Sequence, residues 1–440
     1  MQGVSRRLSL VCCLIGLLAL PVSIPVLSAA DQAQESAPVL RLEDLERRAL
    51  DQSPALRQEA ARVRAASGRT TQAGLYPNPV IGYNGDEISR GPVIRGGEHG
   101  LFVEQPLVMS GRLRVNRRMF RHEQQQAEAT AEAQQYRVLN TVRLLYYQAL
   151  GAERLVQVRA DLARIAREAV DISEQLYNVG QADRPDVIEA EVEAERVDLA
   201  LTQARQRRET VWWRLAEAVG DPSLRRMPLA GSLEDSIPPL DQEQVLQSLV
   251  RDSPEIKMTR AGVARADAAL TYARVERIPD LVVRGGLRYN RELIERGGQP
   301  VGLEGFADAG IRLPLFDRNQ GSIAAARADI DRAEHEVKRV QLSLQTRLAV
   351  AFSEYRVTQD AVSRYRNTIL PRARQAYELY RNKFQQMAAA YPQVLIAQRN
   401  LFQLEDEYVT AQVNLWRMVV AIRGFLLVEG FEGRGRGSEE

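Results

Sequence analysis

The chain has 440 residues, and its 59 lysines and arginines nearly balance 57 aspartates and glutamates, giving a formal net charge of +2 at pH 7. Without a basic excess to neutralise phosphates, this composition argues against nucleic acid as a partner. The two cysteines, Cys12 and Cys13, lie near the N-terminus. We therefore expect no disulfide and no cysteine-based metal site in the rest of the chain.

Residues 1–30 have the features of a secretory signal peptide. Arg6 and Arg7 form a basic start, an apolar core follows from Leu8 to Leu20, and residues 28–30 are small. We predict cleavage before Asp31 and export of the mature chain. Beyond this segment no stretch approaches about 18 uninterrupted apolar residues, so no membrane-spanning helix is expected.

The remainder of the chain repeats one pattern twice. Each copy opens with Ser-Pro and an alanine-rich amphipathic stretch, passes through short strand-like segments, and ends in two long helical runs. The matching prolines are Pro54 and Pro254, Pro77 and Pro279, Pro106 and Pro314, and Pro185 and Pro392. A unit of about 200 residues is too long for a solenoid repeat. We predict a first structural repeat over 31–220, a linker or equatorial segment over 221–240, a second repeat over 241–430 and a flexible tail over 431–440.

The helical runs are unusually long. Between Arg112 and Val179 there is no proline and a single glycine, which predicts a helix about 100 Å long. The run after Pro185 and the final run, from Val394 to Ile422, repeat apolar residues at the heptad spacing of coiled coils. The run before the second break contains Pro371, which is expected to kink it.

The strand-like segments of the second copy alternate apolar and polar residues, first from Leu281 to Asn290 and again from Ala307 to Leu313. Such alternation is typical of a soluble sheet with one wet face. It is also typical of transmembrane barrel strands, which turn their apolar side outward. On the second interpretation, the residues that face the barrel lumen are Arg284, Arg288, Asp308 and Arg312.

Two strands per copy are too few to close a barrel. Four strands leave two open edges, and unpaired edges are not tolerated in lipid. If these strands cross a membrane, the chain must therefore oligomerise, and a cyclic trimer would supply twelve strands. The long helices would then extend the tube away from the membrane.

Three short motifs, in this order and at this spacing, resemble one known family. They are Tyr76-Pro-Asn-Pro79, the break from Tyr177 to Ala190 with its Val-Gly turn, and the segment from Leu313 to Gly321. Together with the duplicated layout they resemble the TolC-type outer-membrane efflux proteins over nearly all of the mature chain. The last segment resembles the branch of that family that serves cobalt, zinc and cadmium efflux.

The resemblance implies a mainly α protein with a small membrane β-barrel. The fold would be a trimeric twelve-stranded outer-membrane barrel, continued by a long periplasmic α-helical barrel. It also implies a passive duct fed by an inner-membrane pump of the resistance–nodulation–division type through a periplasmic adaptor. By resemblance, the residues at the adaptor-contacting tips are Val179, Gly180, Gln181, Met387, Ala388 and Ala389.

The periplasmic entrance departs from the family pattern. Many members narrow it with aspartates after the second tip, but residues 393–398 here contain no acid. Asp183, Asp186 and Glu189, which follow the first tip, are the alternative candidates, although each is also consistent with a solvated helix charge.

No catalytic pattern is visible, so we expect no enzyme, no cofactor and no metal site. His99, His122 and His335 are scattered, and there is no phosphate-binding loop and no nucleophile elbow. The acidic run from Glu405 to Glu407 is interpreted as a solvated helix face.

Several alternatives remain open. A multidrug duct or a type I secretion duct would share the same fold. A periplasmic adaptor would need only one helical hairpin flanked by small β domains. A coiled-coil structural protein would not need the strands or the corner prolines.

Overall fold

A computed structural model describes residues 39–88, 97–237, 239–293, 300–386 and 391–428. The predicted signal peptide and C-terminal tail lie outside the described residues, as do Met387, Ala388 and Ala389 of the second tip.

The elements form two series with the same order. The first series comprises α1 (Leu42–Gln52), α2 (Pro54–Gln72), β1 (Val80–Asp86), β2 (Glu98–Leu107), α3 (Arg112–Asn178) and α4 (Arg184–Val219). The second comprises α5 (Gln242–Asp252), α6 (Pro254–Glu276), β3 (Leu281–Leu293), β4 (Pro300–Ile311), α7 (Gln320–Arg364), α8 (Leu370–Gln385) and α9 (Tyr391–Arg423). A π-helical turn (Tyr365–Ile369) separates α7 from α8.

The four strands form one antiparallel sheet in the order β1-β2-β3-β4. Its register sets Tyr83 opposite Leu101, Leu101 opposite Leu287, and Leu287 opposite Gly305. Because alternate residues of a strand point to opposite faces, this row and those like it form an apolar face. The intervening rows hold most of the charged residues. The outer edges of β1 and β4 have no strand partner within the described chain.

The long helices pack through the heptad positions anticipated from the sequence. Val187, Leu201 and Leu215 of α4 are buried, and so are Leu401 and Leu415 of α9. Alanines such as Ala190 and Ala204 also lie buried in the α4 seam, where their small side chains allow close helix contact. α4 and α9 therefore pack through the seams that their heptad spacing predicts.

Pro371 is predicted to kink its helical run, and the structure shows an irregular, π-helical turn just before it. Pro371 is the second residue of α8 and follows the π-helical turn. A proline in a helix removes one backbone donor and its ring collides with the carbonyl four residues earlier. The wider π turn relieves that collision while the run continues.

The segment between the two series is a belt tied to both groups of long helices. The indole of Trp212 in α4 donates to the carbonyl of Leu224 at 3.0 Å, and that of Trp416 in α9 donates to the carbonyl of Leu233 at 3.1 Å. Leu229 also forms a parallel bridge with Leu40 ahead of α1. Among the described residues, no helix combines the length and the apolar character needed to cross a bilayer.

Candidate functional site

The polar face of the sheet is organised around Arg284. Its guanidinium carbon lies 3.8 Å from the ring centroid of Phe102 and 5.7 Å from that of Phe306. In the sheet register, Arg284 stands between Glu104 and Asp308. Stacking on two aromatic faces holds a cation in place by attraction to the ring quadrupoles. Arg284 is thus retained on the sheet by aromatic contacts.

Both phenylalanine rings pack closely against glycines of the neighbouring strands. A Cβ added at Gly82 would meet the Phe102 ring at 2.4 Å, and one at Gly286 would meet the Phe306 ring at 2.8 Å. The same added atom at Gly286 would lie 2.2 Å from the carbonyl oxygen of Leu101. Glycine is therefore required at these two positions by the close approach of the neighbouring groups.

Arg288 lies four residues after Arg284 on the same face of β3 and forms ion pairs with two carboxylates. Its Nη1 lies 2.5 Å from Glu98 Oε2, and its Nε lies 3.2 Å from Glu304 Oε2. The register places five described carboxylates but only two described guanidiniums, those of Arg284 and Arg288, on this face. The carboxylates belong to Asp86, Glu98, Glu104, Glu304 and Asp308. The face thus carries an acidic excess along its described length.

Of the four residues predicted to face a lumen, the structure brings three together. Arg284, Arg288 and Asp308 share the polar face. Arg312 follows β4, which ends at Ile311 within this chain. The sequence interpretation missed Phe102, Glu98 and Glu104 because the alternation of β2 is weak. The register with β3 is needed to show that these three residues of β2 lie on the polar face.

The opposite face of the sheet is apolar and open. Ile81 and Leu303 are 75% and 69% exposed, and Tyr83, Leu101 and Leu287 are also exposed. A contiguous apolar surface of this kind on a single chain indicates contact with lipid or with another protein.

The first helical tip is closed by a glycine turn. Gly180 has φ 73°, its amide donates to the Tyr177 carbonyl at 3.0 Å, and the amide of Gln181 reaches back to the Leu176 carbonyl at 2.8 Å. This is the hydrogen-bond pattern of a Schellman ending, for which glycine is favoured. Val179 is exposed beside it. The predicted tip residues 179–181 therefore lie together at the end of the α3–α4 hairpin.

Two of the acidic residues predicted at the periplasmic entrance also cap the N-terminus of α4. Asp183 and Asp186 form a capping box at the start of α4, in which the amide of Asp183 lies 3.4 Å from Asp186 Oδ2. Such a box satisfies backbone donors that the first helical turn leaves free. Glu189 lies one turn further along α4 and is exposed.

The interpretation of residues 405–407 as a solvated face is wrong. Asp406 forms an ion pair with Arg159 of α3, and Glu407 accepts a hydrogen bond from the hydroxyl of Tyr365 at 2.9 Å. Burial raises the pKa of Asp406 above its usual range, and the Arg159 guanidinium opposes that shift. The run is partly enclosed because α9 packs against several helices at once, which one helix's charge pattern does not reveal.

The histidines lie apart from one another. His99 contacts the Tyr83 hydroxyl on the sheet, and His122 contacts Gln125 on α3 at 2.8 Å. Over the described ranges, no group of three or more metal-binding side chains is assembled.

Comparisons with known proteins agree with this geometry. The family model described as "Outer membrane efflux protein" matches residues 45–221 and 245–426. The cobalt-zinc-cadmium resistance protein CzcC of Cupriavidus metallidurans is 25% identical over 345 residues, covering 78% of this chain and 80% of that protein. Protein CyaE of Bordetella pertussis is 27% identical over 359 residues, covering 77% and 73% respectively. Among solved structures, the outer membrane protein VceC of Vibrio cholerae superposes with a TM-score of 0.71 at 20% identity, covering 89% of this chain and 97% of that one.

Proposed function

Because the chain belongs to the outer membrane efflux protein family, we propose that it is the outer-membrane duct of a tripartite system that exports heavy-metal cations. The family's members are passive channels of the outer membrane that extend into the periplasm, and they are not enzymes. The oligomeric state, the partners and the cargo are parts of the proposal.

The sheet is the observation that carries the proposal. One face is apolar and exposed, the other carries stacked and paired charges, and neither outer edge has a strand partner among the residues that the structure describes. Three chains placed around a threefold axis would supply twelve strands and leave no edge. In that arrangement the apolar face contacts lipid, the Arg284 face lines the lumen, and the helices continue the tube into the periplasm.

Two observations favour metal cations as the cargo. The first is the similarity to a protein named for cobalt, zinc and cadmium resistance. The second is the acidic excess on the polar face of the sheet, since rings of carboxylates favour the passage of cations. A duct leaves most of the selection to its pump, so neither observation defines one metal.

The partners proposed are a periplasmic adaptor and an inner-membrane pump of the resistance–nodulation–division type. The adaptor would contact Val179, Gly180 and Gln181 at one tip, and the segment containing Met387, Ala388 and Ala389 at the other. Asp183, Asp186 and Glu189 would lie at the periplasmic entrance near the first tip.

The cargo is tested by growth of a strain that lacks this gene, across graded zinc, cobalt and cadmium, with dyes and detergents in parallel. Selective sensitivity to the metals, reversed by the intact gene, is the expected result. Sensitivity to organic compounds alone would contradict a metal cargo and favour a multidrug duct.

The assembly is tested on protein extracted from membranes with detergent. Light scattering is expected to give the mass of three chains, and the complex should dissociate on heating. A monomer that stays soluble without detergent would contradict the duct itself.

A further inference from the structure

The beginning of α3 carries an unusual concentration of positive charge on one side. Four arginines fall within eight residues, and α3 has no acidic residue before Glu123. Their spacings of three, four and seven residues place the four side chains on one face of the helix. All four are exposed, and we call this surface the arginine face: Arg114, Arg117, Arg118 and Arg121.

The arginine face lowers the stability of the helix that carries it. Like charges three or four residues apart on a helix repel each other, and positive charge in the first turn opposes the helix dipole. The first turn of α3 has no acidic residue to offset this. Glu123 pairs with Arg69 of α2 at 2.9 Å instead. Within the described part of the chain none of the four arginines has an ion-pair partner, so the chain supplies no counter-charge there.

The fold does not require these four arginines. In the second series the counterpart of α3 is α7, and the two helices begin at Arg112 and Gln320. When the helices are aligned on these starts, the four positions in α7 hold Ser322, Ala325, Ala326 and Asp329. A helix of the same kind therefore leaves the same sheet without an arginine at any of these positions. A costly feature confined to one of two equivalent helices indicates a function rather than a structural need.

The arginine face points to the same side of α3 as the belt. Arg143 and Tyr146 lie 25 residues beyond Arg118 and Arg121, which is about seven turns of helix. Arg143 forms an ion pair with α1, and Tyr146 donates to the carbonyl of Ala230 in the belt. A segment that crosses the helices would block the lumen of a tube if it lay inside. In the proposed duct the arginine face is therefore on the outer surface.

The arginine face also lies close to the sheet. β2 ends at Leu107 and α3 begins at Arg112, so only a short corner separates the apolar face of the sheet from the first of the four arginines. Between Arg114 and Arg121 the helix rises by about 10 Å at 1.5 Å per residue. This length is similar to the thickness of one headgroup layer of a bilayer, roughly 5–8 Å. α3 packs here against α2 and α6 of its own chain, which leaves the arginine face open.

Apolar side chains accompany the arginines at this level. The stem of Arg117 packs beside the corner between α2 and β1, since a Cβ added at Gly74 would lie 2.9 Å from Arg117 Cδ. The next two residues of that corner, Leu75 and Tyr76, are 53% and 59% exposed. Guanidinium groups next to exposed apolar side chains match the phosphates and acyl chains of lipids.

We infer that the arginine face binds the phosphates of anionic phospholipids in the membrane leaflet on the helical side of the sheet. This inference rests on the proposed duct, which places the sheet in the bilayer. A guanidinium can bind two phosphate oxygens through parallel hydrogen bonds, and the phosphates supply the negative charge that α3 lacks. Leu75 and Tyr76 then contact the acyl chains of the same lipids. The bound lipids fix the depth at which the helices leave the membrane.

The test uses the full chain reconstituted into vesicles of phosphatidylcholine and phosphatidylglycerol in equal parts. After extraction with a mild detergent, native mass spectrometry counts the lipids of each kind that the protein retains. We expect the unsubstituted protein to prefer phosphatidylglycerol. The variant Arg114→Gln, Arg118→Gln, Arg121→Gln should lower that preference by about fivefold or more, fivefold being the factor for one arginine near an anionic surface. Arg117 is kept because its stem packs at the corner.

The matched control removes three exposed arginines of α4 that also have no ion-pair partner among the described residues: Arg205→Gln, Arg207→Gln, Arg214→Gln. It should retain the preference for phosphatidylglycerol. Equal losses in the two triple variants, or no preference in the unsubstituted protein, would overturn the inference. A preference abolished by inorganic phosphate at equal ionic strength would overturn it in favour of a free anion.

Two further measurements separate the levels of failure. The unsubstituted protein should float with phosphatidylcholine vesicles, and a protein that does not would overturn the proposed duct as well. The reversal potential of single channels should be unchanged in the α3 triple variant, because the arginine face lies outside the lumen. A shifted reversal potential would place these arginines in the lumen and overturn the lipid site alone.

Discussion

Glu193 of α4 accepts two hydrogen bonds from the guanidinium of Arg399 of α9, with Nη2 2.6 Å and Nε 3.0 Å from the same carboxylate oxygen. The carboxylate is only 7% exposed, and it lies between helices that belong to different hairpins. A second arginine, Arg196, is 3.9 Å away. The contact therefore joins the two halves of the helical region through a nearly buried charge.

Removing Arg399 should cost more than removing an exposed ion pair. In Arg399→Ala, the Glu193 carboxylate loses its main partner in a site that water scarcely reaches, so we expect a loss of about 2 kcal/mol in the free energy of unfolding. Denaturant titration of the detergent-solubilised protein measures this. Arg364→Ala, which breaks the exposed pair of Arg364 with Asp360, is the control and should cost under about 0.5 kcal/mol. Equal losses in the two variants would contradict the role given to burial.

Stability at high pH should depend on Tyr146. This side chain is buried and donates to the carbonyl of Ala230. Burial, aided by nearby Tyr147, Glu43 and Asp235, raises its pKa from 10.0 to about 12.

Because the folded state favours the neutral hydroxyl of Tyr146, ionisation of this group at high pH lowers the free energy of unfolding. Its stabilisation is complete below pH 10 and is lost as the pH rises from 10 toward about 12, amounting to at most about 3 kcal/mol. Thermal melts of the wild type and of Tyr146→Phe over that range isolate the effect. The difference between the two proteins should change with pH, and a constant difference would refute the assignment.

Two glycines of β3 and β4 should respond very differently to one added methyl group. Gly286→Ala places a Cβ 2.2 Å from the Leu101 carbonyl oxygen, so the β2–β3 ladder must shift and the protein should fail to reach its assembled form. Gly305→Ala meets its nearest neighbour at 3.8 Å, an ordinary contact, and should assemble normally. The two variants are compared by the temperature at which the complex dissociates, followed on gels. A normally assembled Gly286→Ala protein would show that the β2–β3 ladder tolerates a methyl group at this position.

Charges on the polar face of the sheet should set ion preference if that face lines a lumen. Arg284→Met keeps much of the side-chain volume beside Phe102 but removes one cation per subunit, so cation preference should rise. Glu104→Gln removes one carboxylate and should lower it. The measurement is the reversal potential of single channels in a planar bilayer under a salt gradient. Glu334→Gln on the exposed surface of α7 is the control, and a shift as large as that of Glu104→Gln would argue against a luminal site.

The sequence predicts the helices well, because their signals are local. Absence of proline, heptad spacing and the Val-Gly break give α3, α4 and α9 to within a few residues. The strand alternation likewise identifies which residues of β3 share a face. Each of these patterns follows from the geometry of one element alone.

Contacts between distant elements could not be predicted in this way. Nothing in the sequence indicates that Arg284 lies on Phe102, because their pairing depends on the register between β2 and β3. For the same reason, the sequence predicts a solvated charge at Asp406, whereas the fold places Arg159 of α3 against it. A single sequence gives the residue types that can pair, whereas the fold decides which of them meet.

The belt between the two series is bonded to both groups of long helices. Trp212 and Trp416 secure it to α4 and to α9, so the two hairpins are restrained relative to each other at that level. From Trp212 to the start of α4 at Arg184 the helix runs for about 40 Å at 1.5 Å per residue. Over such a lever arm, a rotation of about 5° at the belt displaces the tip by about 4 Å, roughly the reach of a side chain. In the proposed duct, a small rotation at the belt would therefore change the aperture at the helical tips.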